Sequence, residues 1–296
     1  MTRVVQLSDT HFLEPGEAPE GGFAYDTSDA FDAVLAHVQR GGGHDLVAVT
    51  GDVADHGRAT QYRIAADAFE RFDAPVNVCP GNHDADAVFT ASVTRLNVNT
   101  SRVINAGNWC LLFADSNAGV MVPDARGQLV DPDAEHRLHG NGSLGAAHAA
   151  WIIDTCNTTQ AEHVFVFLHH PPRGGTAWSS DDAYCDEWRA VLAETDKIRG
   201  FGAGHTHVPT NDEVEGVPIF ICPAFKNNFD MDAATFLPPG YRTYEFQADG
   251  TIDSTIELVD DDRWPRHPMP RSVVALLRGD LTYEEFDAIV ARKRAQ

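Results

Sequence analysis

The chain has 296 residues, enough to bury the core of one large domain or two small ones. Its 43% hydrophobic content is that of a globular protein, and no apolar stretch approaches the length of a membrane helix. A formal net charge of −22 argues against a basic surface for nucleic-acid polymers or membranes, and it requires any anionic ligand to find a local positive site.

The first eighty-odd residues alternate strand, loop and helix. Val4-Val5-Gln6-Leu7 reads as a strand running into Ser8-Asp9-Thr10-His11, where Asp9 and His11, two apart in an extended segment, share a face. The N-terminus enters this strand without the apolar core of a signal peptide. Pro and Gly between Glu14 and Gly22 mark a loop, and Phe31, Leu35 and Val38 then form a helix stripe with Ser28 or Asp29 as cap. Leu46–Thr50 is a second buried strand, running into Gly51-Asp52-Val53-Ala54-Asp55-His56-Gly57, and Tyr62, Ala65, Phe69 and Phe72 mark the next helix. Pro75–Pro80 is a third strand, running into Gly81-Asn82-His83-Asp84. This alternation predicts an α/β sheet with polar loops at the C-terminal ends of its strands.

The pattern continues through a strand at Cys110–Ala114, ending in Asp115-Ser116-Asn117, and a loop rich in Gly, Pro and Asp over residues 119–143. A helix follows with Leu144, Ala147, Trp151 and Ile152, then the strand His163–Leu168, which ends in His169-His170-Pro171-Pro172. Trp188, Val191 and Leu192 suggest a further helix, and Ile198–Ala203 leads into Gly204-His205-Thr206-His207. From Val217 the chain changes character: Val217–Cys222, Tyr241–Phe246 and Thr251–Val259 read as strands without helices between them, predicting an antiparallel sheet that closes the fold. A tail from Asp260 is rich in Pro and then helical, with Thr282 and Glu285 forming a capping box ahead of Phe286, Ile289 and Val290. The reading divides the chain into residues 1–260 and a C-terminal extension, 261–296, whose helix is a candidate homodimer contact, a cap over the site, or a segment packed on its own domain. The five cysteines are scattered and lack a C-x-x-C pair, which fits buried thiols and a cytoplasmic, reducing setting.

Asp9/His11, Asp52, Asn82/His83, His169 and His205/His207 each follow an apolar run, and strand ends on one edge of a sheet can converge as metal ligands do. A single Gly-Asp or a lone His is ordinarily structural; it is the recurrence that carries the signal. His136, His139 and His148 read as solvent-facing or helix-surface, while His37, His44, His163 and His267 carry no functional signal.

D-x-H, G-D-x-x-D-x-G, G-N-H-D, His-His-Pro-Pro and G-H-x-H in this order resemble the calcineurin-like metallophosphoesterases, over roughly residues 3–225. Ser8–His11, Gly51–Tyr62 and His169–Pro172 further resemble the bacterial class III cyclic-AMP phosphodiesterases and glycerophosphodiesterases. The resemblance implies a four-layer αββα sandwich of two mixed β-sheets flanked by helices, and a centre of two metal ions. Asp9, His11, Asp52 and His207 would hold one metal, and Asp52, Asn82, His169 and His205 the other, with Asp52 bridging. Carboxylate and imidazole donors suit Fe or Mn, with Zn or Co next, over Ca or Mg. Two divalent cations set against two carboxylates leave the site at about +2, or about +1 with a bridging hydroxide, which answers the anion problem. Asn82, His83 and His207 would meet the substrate, with His83 facing the phosphate, and Asp84 would either orient His83 or brace the turn. Asp55 and His170 would support the site, His56 would reach the pocket, and Arg173, Trp178 and the 119–143 loop would either shape it or lie on the surface. The implied activity is hydrolysis of a small phosphodiester, cAMP first, by a metal-bridging hydroxide. A glycerophosphodiesterase, a phosphomonoesterase and a non-catalytic scaffold of the same fold are the alternatives.

Overall fold

The computed structural model describes residues 1–17, 25–84, 86–123, 129–130, 142–173, 181–264 and 266–294. The first half contains β1 (Thr2–Leu7), α1 (Thr27–Gly41), β2 (Leu46–Thr50), α2 (Ala59–Phe69), β3 (Val76–Cys79), α3 (Asp86–Val93), β4 (Val98–Asn99), β5 (Val103–Ala106), β6 (Trp109–Phe113), β7 (Val122–Pro123) and β8 (Leu129–Val130). The second contains α4 (Gly145–Thr158), β9 (His163–Phe167), α5 (Asp182–Ala193), β10 (Ile198–Ala203), β11 (Asn211–Val214), β12 (Val217–Ile221), β13 (Asn228–Asp230), β14 (Thr235–Leu237), β15 (Gly240–Phe246), β16 (Ile252–Leu258), α6 (Arg271–Leu277) and α7 (Tyr283–Arg294).

Two six-stranded sheets carry the fold, in the orders β16-β15-β1-β2-β3-β4 and β11-β12-β10-β9-β6-β5. Their inner strands are parallel, and antiparallel strands lie at one margin of the first sheet and both margins of the second. Alternation along each strand builds three apolar layers. In β2, Val47 and Val49 pack outward with α1 and α2, while Leu46 and Ala48 face the other sheet. In β9, Val164 and Val166 pack outward with α4 and α5, while Phe165 and Phe167 meet Tyr244 and Phe246 between the sheets. Helix, sheet, sheet, helix is therefore the order of layers, the four-layer sandwich expected.

Polar links pin the sheets at their facing surfaces. Gln6 Nε2 donates to Thr50 Oγ1 at 2.8 Å and to the Ala203 carbonyl at 3.1 Å. The buried Arg242 guanidinium donates to the carbonyls of Ile221 and Thr210, both at 3.0 Å.

Two expectations are corrected. The strand at Val217 does not belong to one closing antiparallel sheet with Tyr241–Phe246: β12 runs parallel to β10 in the second sheet, whereas β15 pairs antiparallel with β1 in the first. Periodicity reports which residues are buried and says nothing of the partner strand. Helix α1 is capped by Asp26, whose carboxylate accepts from the backbone N–H groups of Ser28 and Asp29 at 2.9 and 3.0 Å, so both expected caps lie inside the first turn.

The tail packs on its own chain. Met269, Val273 and Leu277 form a small core with Phe229 and Phe236 of the β13–β14 hairpin, and Phe286 lies against it. The expected Thr282–Glu285 capping box is formed. All five cysteines are buried free thiols. Among the described residues no helix is long and apolar enough to cross a membrane.

Candidate metal centre

The parallel strands β1, β2, β3, β9 and β10 deliver their C-terminal ends to one place. Backbone bonds tie the loops together: Asp9 N–H to the Gly51 carbonyl at 3.1 Å, His11 N–H to Asp52 at 2.8 Å and Gly204 N–H to His169 at 3.0 Å. The approach is close enough to demand glycine. A Cβ on Gly204 would lie 1.8 Å from Ser8 Oγ and 2.5 Å from Asp9 Oδ2, and one on Gly51 would lie 2.6 Å from His169 Nδ1.

Asp9, His11, Asp52, His205 and His207 all hold positive φ, between 43° and 69°. That region costs a residue with a Cβ about 1–2 kcal/mol, so five such residues in one site mark a backbone held against its preference by what surrounds it.

The side chains converge as the strand ends suggested. His207 Nε2 lies 3.2 Å from Asp9 Oδ1, and His11 Nε2 lies 3.6 Å from Asp52 Oδ2. His169 Nε2 lies 3.4 Å from Asp52 Oδ1 and 3.0 Å from Asn82 Oδ1, and His205 Nδ1 is 3.2 Å from His169 Nε2. Donor atoms of Asp9, His11 and His207 fall within 4.8 Å of one another, as do those of Asp9, Asp52 and His169. Asp9 belongs to both groups, and Asp52 belongs to the second and to a further group with His11 and His83.

The ring tautomers follow from partners that can only accept. Nδ1 of His169 faces the Thr50 carbonyl at 2.9 Å, that of His207 the Asn227 carbonyl at 3.1 Å, and that of His11 the Asp55 carboxylate at 3.0 Å. Each Nδ1 therefore carries the proton, and each Nε2 turns a lone pair toward carboxylate and amide oxygens. Acceptors facing acceptors require a cation, and a metal ion fits this donor set. Both ring nitrogens of His11 are buried without a hydrogen bond of good geometry among the described residues, the 3.0 Å approach of Nδ1 to Asp55 being an ion-pair contact.

The electrostatics agree. Burial alone would lower the pKa of His169, but Asp52 and Asp9 outweigh it and push it up to about 9, the mark of a position that favours positive charge. Burial alone would raise Asp52, yet the surrounding His169, His83 and His11 hold it well below the usual carboxylate range. His11 is pushed down to about 4, by burial against the pull of Asp55, with the Lys226 charge adding to the lowering.

His83 stands at the rim, its side chain 20% exposed against 3% for Asp52. Its backbone N–H donates to Asp52 Oδ1 at 2.9 Å, its Nδ1 meets the Asp55 carbonyl at 2.7 Å, and its Nε2 lies 3.9 Å from Asp52 Oδ2. Asp84, its neighbour in sequence, points elsewhere. The buried carboxylate accepts from the backbone N–H groups of Gly81, Val53 and Ala54 at 2.8, 3.2 and 3.3 Å, locking the Asn82 loop to the Asp52 loop. Burial and the Asp52 charge push Asp84 up to about 7 against those three donors. Of its two expected roles, the geometry selects the brace.

Asp55 supports the site through His11, and His56 Nε2 lies 3.6 Å from its other oxygen. Ser116 Oγ meets His170 Nδ1 at 2.8 Å, and the His170 ring packs 4.3 Å from that of His205. Arg173 pairs with Asp212 at 2.8 Å. Trp178, His136, His139 and residues 124–128 and 131–141 of the long loop lie outside the described residues.

His148 is not on a helix surface: it is buried, with Nδ1 2.9 Å from Arg102 Nη2 and Nε2 accepting from the Asp115 N–H at 3.1 Å. The residue missed entirely is Lys226, buried, with Nζ 2.6 Å from Asp55 Oδ1. A signal was available, since Lys226 is the first charged residue after the apolar run Val217–Cys222.

Sheet order and strand-end clusters of histidine and carboxylate donors together make a candidate metal centre. Residues 2–209 match the calcineurin-like phosphoesterase family, and the chain belongs to it. The 3',5'-cyclic adenosine monophosphate phosphodiesterase CpdA of Escherichia coli K12 is 26% identical over 275 residues, covering 88% of this chain and 91% of that protein. A probable glycerophosphodiester phosphodiesterase, GpdQ, of Arcobacter nitrofigilis is 27% identical over 174 residues, 57% of each chain. The fold is shared with a dimetal phosphatase from Danio rerio at a TM-score of 0.61 and 15% identity, covering 91% of this chain and 99% of that one.

Proposed function

We propose that this protein hydrolyses a small phosphodiester, with 3',5'-cyclic nucleotides, cAMP first, as the substrate class. The observation that carries the reading is the convergence of Asp9, His11, Asp52, Asn82, His169, His205 and His207 around Asp52, with His83 at the rim. Asp9, His11, Asp52 and His207 would hold one metal, and Asp52, Asn82, His169 and His205 the other; Fe and Mn suit these donors best, Zn and Co next. When bound, such a pair supplies Lewis acidity at the phosphoryl oxygens and an activated water.

The chain's own groups do the rest. The left-handed backbone at Asp9, Asp52, His205 and His207 holds the donors in place before substrate arrives. Asn82 and His207 border the position of the phosphate. His83, anchored through Nδ1–H on the Asp55 carbonyl, aims Nε2 at the site, and in its doubly protonated form it would give the Nε2 proton to the departing alkoxide oxygen and be left neutral. Extensive alignment to a cAMP phosphodiesterase supports the cyclic substrate, and the shorter alignment to a glycerophosphodiesterase supports the alternative. Five buried thiols support a cytoplasmic, reducing setting.

The test uses metal-stripped protein reloaded with Mn²⁺ and assayed on cAMP, glycerophosphoethanolamine and bis(p-nitrophenyl) phosphate. Metal-dependent turnover of cAMP is expected. Turnover of glycerophosphoethanolamine alone would move the substrate to the alternative, and no turnover of any phosphoester with any metal would overturn the enzyme reading.

A further inference from the structure

Asp55 is the hub behind two histidines of the site. Its Oδ1 lies 3.0 Å from His11 Nδ1, an ion-pair contact, and its carbonyl accepts from His83 Nδ1 at 2.7 Å. The same Oδ1 also takes Lys226 Nζ at 2.6 Å, from a lysine that is 7% exposed. Lys226 arrives from the loop after β12, which is stitched to the centre by the Phe225 N–H on the Asp9 carbonyl at 3.2 Å. One carboxylate oxygen is thus shared between a ligand histidine and a buried ammonium group.

We propose that Lys226 is a positioning residue that stands in for metal charge: it offsets Asp55 when no metal is bound and weakens the hold of His11 on a metal when one is. The inference rests on the proposed metal centre. A carboxylate behind a ligand histidine strengthens that ligand by drawing on its Nδ1 proton, and loss of such a partner weakens metal binding by roughly 10–100-fold. Lys226 competes for the oxygen that would do this, and it places a positive charge one atom beyond His11, where it opposes a second cation. Without a metal the balance reverses. Asp55 is almost fully buried, His11 is buried as well, and Lys226 is then its full counter-charge. The centre can therefore release metal and keep its shape.

The two substitutions at this hub act in opposite directions, which a purely structural role would not produce. Chelator-stripped wild type, Lys226→Met, Lys226→Arg and Asp55→Asn are titrated with Mn²⁺ against a fluorescent chelator, and the melting-temperature gain on adding Mn²⁺ is recorded for each. Lys226→Met is expected to bind Mn²⁺ roughly tenfold more tightly, to melt lower without metal and to gain more on loading. Asp55→Asn is expected to bind more weakly, and Lys226→Arg, which keeps the charge, to match wild type. Should Lys226→Met require metal to fold, Lys226→Gln replaces it in the titration, and that dependence itself supports the proposal. Equal or weaker Mn²⁺ binding by Lys226→Met or Lys226→Gln, or Lys226→Arg shifting as Lys226→Met does, would overturn it. Wild type that binds no Mn²⁺ would instead refute the metal centre on which it rests.

Discussion

Asp84→Ala isolates the brace under the two metal loops. In the wild type one carboxylate receives three backbone N–H groups, from Gly81, Val53 and Ala54, and it is completely buried. Alanine leaves all three donors without their acceptor. At about 1 kcal/mol each, after some water enters the gap, the loss is about 3 kcal/mol. For a chain of this size that corresponds to a fall of roughly 6–10 °C in melting temperature. Asp84→Asn keeps one oxygen but turns an NH₂ toward a donor, so it should lie between wild type and alanine. The assay is thermal denaturation with Mn²⁺ present, alongside the pH dependence of kcat. A melting point within 2 °C of wild type, with a shifted acid or base limb in kcat, would refute the brace and return Asp84 to His83.

Arg242→Met removes the guanidinium that joins β15 to the carbonyls of Ile221 and Thr210, and chemical denaturation should show a loss of about 2–3 kcal/mol. His148→Asn tests a pH effect. Burial and the Arg102 charge push His148 down to about 4, and both of its ring nitrogens face donors, so the fold refuses a proton that the unfolded chain accepts near its ordinary 6.5. A depressed histidine therefore costs stability as pH falls from about 6.5 toward 4, by about 2 kcal/mol at pH 5. The advantage of wild type over His148→Asn in urea denaturation should shrink by about that amount between pH 7.5 and pH 5.

The donor loops were legible because each buried strand announces itself as an apolar run and each donor cluster begins within three residues of its end. Parallel strand ends then do the converging. What stayed illegible depends on partners distant in sequence. Asp84 looked like the orienting group for His83 because it is adjacent in the chain, whereas that task falls to the carbonyl of Asp55, 28 residues away. Val217–Cys222 showed its burial but not its sheet. The edge strands β4 and β5 are too short, and β5 too exposed, to produce a pattern. Lys226 hid because a lone lysine after a strand ordinarily reads as surface, and only the fold brings it to Asp55, 171 residues earlier.

The central claim is that Asp52 joins two metal sites, and counting metals tests it most directly. Wild-type protein and Asp52→Asn, each loaded with Mn²⁺ and freed of excess, are measured by elemental analysis and by electron paramagnetic resonance. Two manganese ions per wild-type chain with a spin-coupled signal, and fewer than one in the variant, is the predicted result. One uncoupled ion in the wild type, or two retained by Asp52→Asn, would contradict it.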